Sequence, residues 1–201
     1  MIQQEAFIKL TIEEFSQWIK PRKVTRAVSK IQLHHTYIPD YSSFNGDNHF
    51  QLQSSMRDFH KQQNGWEDIG QHLTIFPDGI ILTGRDFDRD PAGIYGANSG
   101  AVAIENIGNF DVHRDTMRKE QQDTILKTVA ILCHKFDLEI STETIVYHHW
   151  YNLISGKRND GSNGNKSCPG SNFFGGNKVA DCRKNFLPKV SFEFFQTYQS
   201  I

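Results

Sequence analysis

Two pairs of adjacent histidines and one cysteine have the side chains best suited to bind a metal ion in this sequence. The pairs are His34-His35 and His148-His149, and the cysteine is Cys168, within a Lys-Ser-Cys-Pro-Gly segment. Zinc takes imidazole and thiolate ligands, and a catalytic zinc site combines three protein ligands with a fourth position for water. One histidine from each pair together with Cys168 would therefore make a catalytic zinc site.

Each histidine pair comes at the end of a segment that is typical of a β-strand, residues 31–37 and 144–148. Because successive side chains of a strand point to opposite faces, only one histidine of a pair can face a given site. Taken singly, such a histidine is usually a hydrogen-bonded core or surface residue, and a lone cysteine is usually a small buried apolar group. The spacing is less specific than a compact Cys-x-x-Cys pattern, so the hypothesis depends on the residues occurring together.

Glu105 and Lys166 are the charged residues that could take part in chemistry beside such a site. Glu105 lies in the apolar segment 101–107, which is typical of a central strand buried on both faces. A carboxylate there must face a cavity, a partner or a metal, and the alternative is a structural pair with an Arg or Lys. We favour a functional role for Glu105. Most loop lysines are simply solvated. Lys166 is a candidate for a role in chemistry only because it lies two residues before Cys168.

Three further residues are candidates for substrate contact. Trp66 follows a predicted helix and is either a lid on the core or an exposed aromatic that stacks on a sugar. His72 lies on a predicted strand, where a structural hydrogen bond is the alternative to a site role. Arg85 begins a long charged loop over 85–100, which is either a binding loop or a solvated face.

The composition predicts one globular domain and excludes several classes of partner. A chain of 201 residues with 15 phenylalanines can bury a sizeable core, and the net charge of −1 gives no basic patch for nucleic acid. No segment approaches the roughly 18 apolar residues of a membrane helix, so no membrane insertion is expected. The three cysteines are an odd number rather than a disulfide framework, and we expect Cys133 and Cys182 to be structural. The N-terminus lacks a basic segment followed by an apolar run, so we expect no signal peptide.

Local patterns predict the scaffold that positions these residues. Thr11 and Glu14 form a capping box, Leu10 and Phe15 a hydrophobic staple, and Pro21 ends that helix. We expect residues 1–28 to be an N-terminal helical arm and residues 29–201 the main domain, ending in a packing segment. The expected helices cover 11–20, 49–63 and 117–136, and Asp115 or Thr116 caps the last of them. The expected strands cover 31–37, 71–76, 80–84, 101–107 and 144–148. A flexible loop is expected over 155–166. The C-terminal residues expected to pack onto the core are Phe186, Leu187, Phe192, Phe194 and Phe195.

Six segments between about Ile31 and Phe174 form an ordered series along the chain. They are, in order, IQLHHT, WEDIGQHLTIFPDG, LTGRD, NSGAVAIENIGNFD, YHH and KSCPG. In this series the chain resembles the type-2 N-acetylmuramoyl-L-alanine amidases, a superfamily that includes phage lysozyme-type amidases, cytosolic anhydromuramyl-peptide amidases and peptidoglycan recognition proteins. The resemblance implies an α/β fold with a mixed central β-sheet flanked by helices, a Zn²⁺ site, and hydrolysis of the amide between N-acetylmuramic acid and L-alanine in peptidoglycan.

Carried over by position, the family's zinc ligands fall on His34, His148 and Cys168, and its active-site lysine falls on Lys166. Nineteen residues, 149–167, separate the last two ligands, a longer interval than is usual in the family.

The family's catalytic tyrosine is missing. Many members carry it after the Gly of a Trp-x-Asp-x-Gly-Tyr-His pattern, and here that position is Gln71. Other members use a glutamate at the end of the central strand, which Glu105 matches. The chain therefore resembles the branch of the family that uses glutamate.

The resemblance leads us to expect a zinc-dependent, monomeric amidase of the endolysin or autolysin type whose partner is peptidoglycan. The alternative is a non-catalytic peptidoglycan-binding recognition module, but members that only recognise the cell wall typically lack the cysteine ligand. Without a signal peptide, such an enzyme would be released at lysis, exported by another route, or remain cytoplasmic as a recycling enzyme.

Overall fold

The computed structural model describes residues 1–162 and 165–198, and a seven-stranded mixed sheet forms its centre. The strand order is β1-β2-β5-β4-β6-β3-β7. β6 and β7 both run parallel to β3, and β4 runs parallel to β6, whereas β1, β2, β5 and β4 pair antiparallel in succession. The strands are β1 (Ile2–Gln4), β2 (Phe7–Leu10), β3 (Lys30–His35), β4 (Leu73–Ile75), β5 (Ile81–Thr83), β6 (Ala101–Asn106) and β7 (Ile145–Tyr147).

Helices cover both faces of this sheet. Adjacent residues Ile81 and Leu82 of β5 pack into different apolar clusters, as expected for alternating side chains. The larger cluster holds α1, α3 and α5 against one face, and the smaller one holds α2 against the other. The helices are α1 (Ile12–Ile19), α2 (His49–Gln62), α3 (Lys119–Phe136), α4 (Val179–Asp181) and α5 (Leu187–Tyr198).

Local signals determine α1 as predicted. Thr11 accepts a hydrogen bond from the Glu14 N–H, and the Glu14 carboxylate accepts one from the Thr11 N–H at 2.9 Å, which completes the capping box. Leu10 and Phe15 are both fully buried, and the helix ends before Pro21.

The cap predicted for α3 is wrong. The N-cap residue is Arg118, and it makes no side-chain capping bond. The carboxylate of Asp115 instead accepts hydrogen bonds from the N–H groups of Tyr41 and Asn109, so it fastens two loops together.

The register of the three central parallel strands determines which side chains share a face. His34 of β3 pairs with Glu105 of β6, which pairs in turn with Thr74 of β4. These three residues form a row on the α2 face, because residues in register on neighbouring strands point the same way. The preceding residues of the strands pack under α3, in the larger cluster, and are Leu33, Ile104 and Leu73.

The N-terminal segment contains a hairpin that the sequence analysis missed. β1 and β2 extend the sheet beyond β5, so residues 1–28 are not helical throughout but combine this hairpin with α1. β1 is exposed and β2 has four residues, so neither shows a long apolar alternation. The division into an arm and a catalytic domain stays a prediction.

The C-terminal packing prediction is correct for part of the segment. Phe186 is fully buried, and Leu187 and Phe194 pack partly against the larger cluster. Phe192 and Phe195 are 61% and 52% exposed, so they do not pack onto the core as expected. A π-helical turn, Cys182–Phe186, directly precedes Pro188 of α5, whose ring would clash with the carbonyl four residues earlier in a regular α-helix.

Within the described residues, every helix is too short or too polar to cross a bilayer.

Candidate metal centre

His34 and Cys168 meet at the carboxyl end of β3. His34 is the fifth residue of the strand and is buried, and Cys168 is also buried. The Cys168 Sγ lies 3.6 Å from His34 Nδ1 and accepts a hydrogen bond from the His35 N–H at 3.4 Å. The backbone of β3 therefore holds the thiol next to the imidazole.

His148 completes a cluster of three potential ligands. It begins a short 3-10 helix, His148–Trp150, directly after β7, so it follows the strand on which it was predicted. Its ring centroid lies 5.1 Å from that of His34, with the rings 72° apart. Ligand atoms of His34, His148 and Cys168 all lie within 4.8 Å of one another.

These separations fit a tetrahedral metal ion. Zinc–sulfur and zinc–nitrogen distances of about 2.3 Å and about 2.0–2.1 Å place the two ligand atoms about 3.6 Å apart at a tetrahedral angle. The separation between His34 Nδ1 and Cys168 Sγ has this value. Among described residues, neither ring nitrogen of His148 is hydrogen-bonded, so both remain available as ligands.

Burial sets the protonation of the three side chains. It lowers the pKa of His34 well below its ordinary value of 6.5 and lowers that of His148 to about 3, and the charge of Lys166 adds to both shifts. Both imidazoles are therefore neutral at pH 7, as metal ligands must be. Burial and the nearby Glu105 raise the pKa of the Cys168 thiol well above its ordinary range, so a metal ion must displace the thiol proton on binding.

The second histidine of each pair supports the cluster from outside. His35 Nδ1 accepts a hydrogen bond from the Phe110 N–H at 3.1 Å. His149 donates its backbone N–H to the Cys168 carbonyl and its ring Nδ1–H to the Lys166 carbonyl, each at 2.6 Å. His149 thus fixes the segment that carries both Lys166 and Cys168.

Glu105 and Lys166 border the cluster on the side of a large cleft. Glu105 is half-buried, and within residues 1–162 and 165–198 its carboxylate has no hydrogen bond or salt bridge. Burial raises the pKa of Glu105 to about 8, against the opposing effect of the Lys166 charge. Lys166 is exposed at the cleft wall. The carboxylate is therefore unpartnered and close to a cation.

The cleft has a volume of about 1030 Å³ and lies between the end of the sheet and α2. Leu52, Met56 and Phe59 of α2 form its apolar side, opposite the metal-ligand cluster. Trp66 lines the cleft as half-buried surface, and its ring centroid lies 4.7 Å from that of His60. Trp66 is thus placed where a substrate could contact it.

The structure does not place His72 or Arg85 on the cleft wall. His72 precedes β4, and its Nδ1 accepts from the Ala103 N–H at 3.0 Å while its Nε2–H donates to the Arg89 carbonyl at 2.9 Å. The Arg85 guanidinium donates to three backbone carbonyls, those of Asp68, Ile69 and Asp90. Both side chains therefore hydrogen-bond to the backbone of the scaffold. This is the alternative given for His72, whereas Arg85 is buried and so lies neither on the cleft wall nor on a solvated face.

Two buried glutamines beside the site were not predicted to have a role. Gln71, at the position of the family's tyrosine, lines the cleft and donates to Thr74 Oγ1 at 3.0 Å. Gln32 is fully buried two residues before His34, so it lies on the same face of β3. A polar residue inside an apolar strand, two positions from a candidate ligand, was the signal available in the sequence.

The loop predicted over 155–166 is irregular where the structure describes it. Residues 163 and 164 lie outside the described residues. Arg158 pairs with Tyr151 in an isolated β-bridge and donates to the Thr142 carbonyl at 2.8 Å. This side of the loop is therefore fastened to the segment before β7.

The fold and the site together define a mixed α/β domain with a buried His/His/Cys cluster, able to hold a metal ion, at the floor of a cleft. Residues 24–171 match the family described as N-acetylmuramoyl-L-alanine amidase, Amidase_2. The chain belongs to this family, which confirms both the predicted family and the predicted fold class.

Individual relatives match over shorter segments. Peptidoglycan-recognition protein LB of Drosophila melanogaster is 35% identical over 78 residues, 39% of this chain and 33% of that protein. The endolysin of Klebsiella phage KP32 is 39% identical over 56 residues, 28% of this chain and 36% of the endolysin. The matched segments thus span about a third of each relative. A mutant of Drosophila PGRP-LB in complex with tracheal cytotoxin shares the fold, with a TM-score of 0.55 at 24% identity over 80% of this chain and 83% of that one.

Proposed function

We propose that this protein is a zinc-dependent N-acetylmuramoyl-L-alanine amidase that hydrolyses the amide bond between N-acetylmuramic acid and L-alanine in peptidoglycan. The observation that carries the proposal is the convergence of His34, His148 and Cys168 beside an unpartnered Glu105. Membership of the amidase family and the similarity to a phage endolysin support the reaction class. The similarity to peptidoglycan-recognition protein LB of Drosophila melanogaster supports peptidoglycan as the ligand.

His34, His148 and Cys168 would hold the zinc ion. Their donor set of two imidazoles and one thiolate suits a catalytic zinc site, and all three residues line the cleft. When bound, zinc supplies a Lewis acid that polarises a carbonyl and acidifies a water molecule.

Glu105 acts as the general base and then as the general acid. Its carboxylate takes the proton of the attacking water and returns it to the alanine nitrogen as the amide bond breaks. The absence of a competing hydrogen bond from any described residue leaves the carboxylate available for this transfer. Burial raises its pKa to about 8 against the opposing charge of Lys166, and a bound dication would lower it.

Lys166 stabilises the negative charge that develops on the carbonyl oxygen. It lies two residues before Cys168, and the hydrogen bond from His149 to its carbonyl fixes that part of the backbone. A fixed donor for such an oxyanion is typically worth about 3 kcal/mol. Trp66 lies on the cleft wall, where it would stack on a sugar ring of the glycan.

End-group analysis of purified peptidoglycan, digested with and without a chelator, tests the proposal. We expect new alanine N-termini, no new reducing sugar ends, and loss of the signal in the chelator. Binding without new termini on several wall types, by a folded and zinc-supplemented protein, would favour the recognition module instead. New reducing ends would identify a glycosidase and overturn the site assignment.

A further inference from the structure

Gln32 is a fully buried polar residue in the strand that carries His34. Its neighbours Ile31 and Leu33 are fully buried as well, and they face the larger apolar cluster under α3. Gln32 faces the other way, toward the cleft side of the sheet, because strand residues alternate. A buried amide is costly unless its donor and acceptor are both used, so its partners show its role.

The hydrogen bonds of Gln32 determine which end of its amide faces His34. The Nε2–H group donates to the Ala97 carbonyl at 2.8 Å, and Oε1 lies 3.4 Å from His34 Nε2. A carbonyl can only accept, so the NH₂ end must face Ala97. The oxygen end is therefore directed at the imidazole.

This orientation selects one tautomer of His34. An acceptor beside Nε2 favours the form in which Nε2 carries the hydrogen and Nδ1 carries the lone pair. Nδ1 is the atom that lies 3.6 Å from Cys168 Sγ, inside the ligand cluster. The tautomer that Gln32 favours is therefore the one whose lone pair points at the metal position.

Gly93 encloses this contact. A Cβ atom at position 93 would lie 2.7 Å from Gln32 Oε1 and 3.0 Å from His34 Nε2, so the glycine backbone packs directly over both atoms. Asn98 Oδ1 holds this loop by accepting hydrogen bonds from the N–H groups of Gly93 and Ile94, at 3.0 Å and 2.9 Å. Gly93 thus covers the contact between Gln32 Oε1 and His34 Nε2.

We propose that Gln32 is a positioning residue that fixes the tautomer and ring orientation of His34 for metal binding. The inference rests on the proposed metal site, but the tautomer is a property of the metal-free protein and is measured without zinc. Outer hydrogen-bond partners of metal-binding histidines typically contribute about 10–100-fold to metal affinity.

The chain offers a matched control for Gln32 in Gln53. Gln53 is also fully buried, and its Nε2–H also donates to a backbone carbonyl, that of Thr83, at 3.0 Å. It lies on α2 and does not line the cleft. Gln32→Met and Gln53→Met therefore remove the same group with a similar change in shape, but one of them lies beside His34.

The first experiment records ¹⁵N chemical shifts of the His34 imidazole in the metal-free protein. We expect the Nε2–H tautomer in the wild type and in Gln53→Met, and a shift toward the Nδ1–H tautomer in Gln32→Met. Gln32→Glu keeps an acceptor oxygen beside His34 and, at a pH where its other oxygen is protonated and donates to the Ala97 carbonyl, should keep the Nε2–H tautomer. An unchanged tautomer in Gln32→Met would overturn the proposal.

The second experiment measures zinc affinity by competition with a chromophoric chelator. We expect about a 10–100-fold loss in Gln32→Met and wild-type affinity in Gln53→Met. Equal losses in both Met variants would show a general effect of removing a buried amide and would refute the role of Gln32. A wild-type protein that binds no zinc would refute the proposed function, while the tautomer measurement would still decide the role of Gln32.

Discussion

His34 and His148 of the ligand cluster differ from the scaffold histidines in how their ring nitrogens are used. His72 has a hydrogen bond of 3.0 Å or shorter at each ring nitrogen, and His49 contacts Asp78 at 2.9 Å and Lys9 at 3.1 Å. The ring of His34 has only longer contacts, at 3.4 and 3.6 Å, and that of His148 has no hydrogen bond to a described residue.

This difference indicates what each group of histidines does. Buried polar groups in proteins are nearly always hydrogen-bonded, because an unsatisfied one costs about 1–3 kcal/mol. The scaffold histidines meet that requirement within the protein. In the ligand cluster, His34 Nδ1 faces another potential ligand, Cys168 Sγ, and the ring of His148 has no hydrogen bond to a described residue, so an entering ion could use both. The predictions below test this contrast.

Removing a cleft ligand should have the largest effect. Cys168→Ala removes the thiolate, so we expect loss of stoichiometric zinc and a fall in amidase activity on the order of 10³-fold or more. Metal analysis and end-group release from peptidoglycan measure the two effects. A zinc-loaded, active Cys168→Ala protein would show that the thiolate is not a ligand.

Removing the unpartnered carboxylate should separate chemistry from metal binding. Glu105→Gln keeps the shape of the side chain but cannot accept the proton, so we expect activity to fall about 10²–10⁴-fold with zinc content unchanged. The rate of alanine N-terminus release gives the first quantity and metal analysis the second. Near-normal activity in the zinc-loaded variant would contradict the role given to Glu105.

Equivalent substitutions in the two groups should differ in the stability of the metal-free protein. His72→Leu leaves the Ala103 N–H and the Arg89 carbonyl without their partner, so we expect a loss of about 2–4 kcal/mol in the free energy of unfolding. His148→Leu removes no ring hydrogen bond to a described residue, and we expect a change within about 1 kcal/mol. Urea denaturation in a chelator measures both. Equal losses in the free energy of unfolding would contradict the difference between the histidines of the ligand cluster and those of the scaffold.

The stability of the protein should fall gradually on acidification because of a buried scaffold histidine. Burial lowers the pKa of His72 to about 4. The charges of Arg26 and Arg85 contribute to this lowering, whereas the hydrogen bond to Arg89 and the charge of Asp86 oppose it. Between about pH 6.5 and pH 4 the unfolded chain binds more protons at this residue than the folded protein. Its contribution to stability is therefore complete above about pH 6.5 and falls by about 1.4 kcal/mol per pH unit on acidification through this window.

His72→Gln removes the titrating group while keeping a polar side chain. The free energy of unfolding of this variant should vary less steeply between pH 6 and pH 4.5 than that of the wild type, both in a chelator. Parallel pH profiles would mean that His72 does not titrate differently in the folded and unfolded protein.

Local signals in the sequence determined several elements and the residue types of the candidate site. The capping box of Thr11 and Glu14 predicts the start of α1 from residues three positions apart, and the apolar run of β6 identifies a buried central strand. The order of the motifs along the chain identified the family. The first inference depends on which residues are neighbours in the chain and the second on the order of the motifs. Both can be read directly from the sequence.

Only the tertiary structure decided which histidines face the cleft and which side chains support the scaffold. His34 and Cys168 lie 134 positions apart in the chain, and strand pairing and a loop path bring them to 3.6 Å. His72 and Arg85 were candidates for substrate contact, yet their partners are backbone groups of other segments. The sequence supplies a histidine or an arginine, but its role depends on which atoms surround it, and long-range packing sets those surroundings.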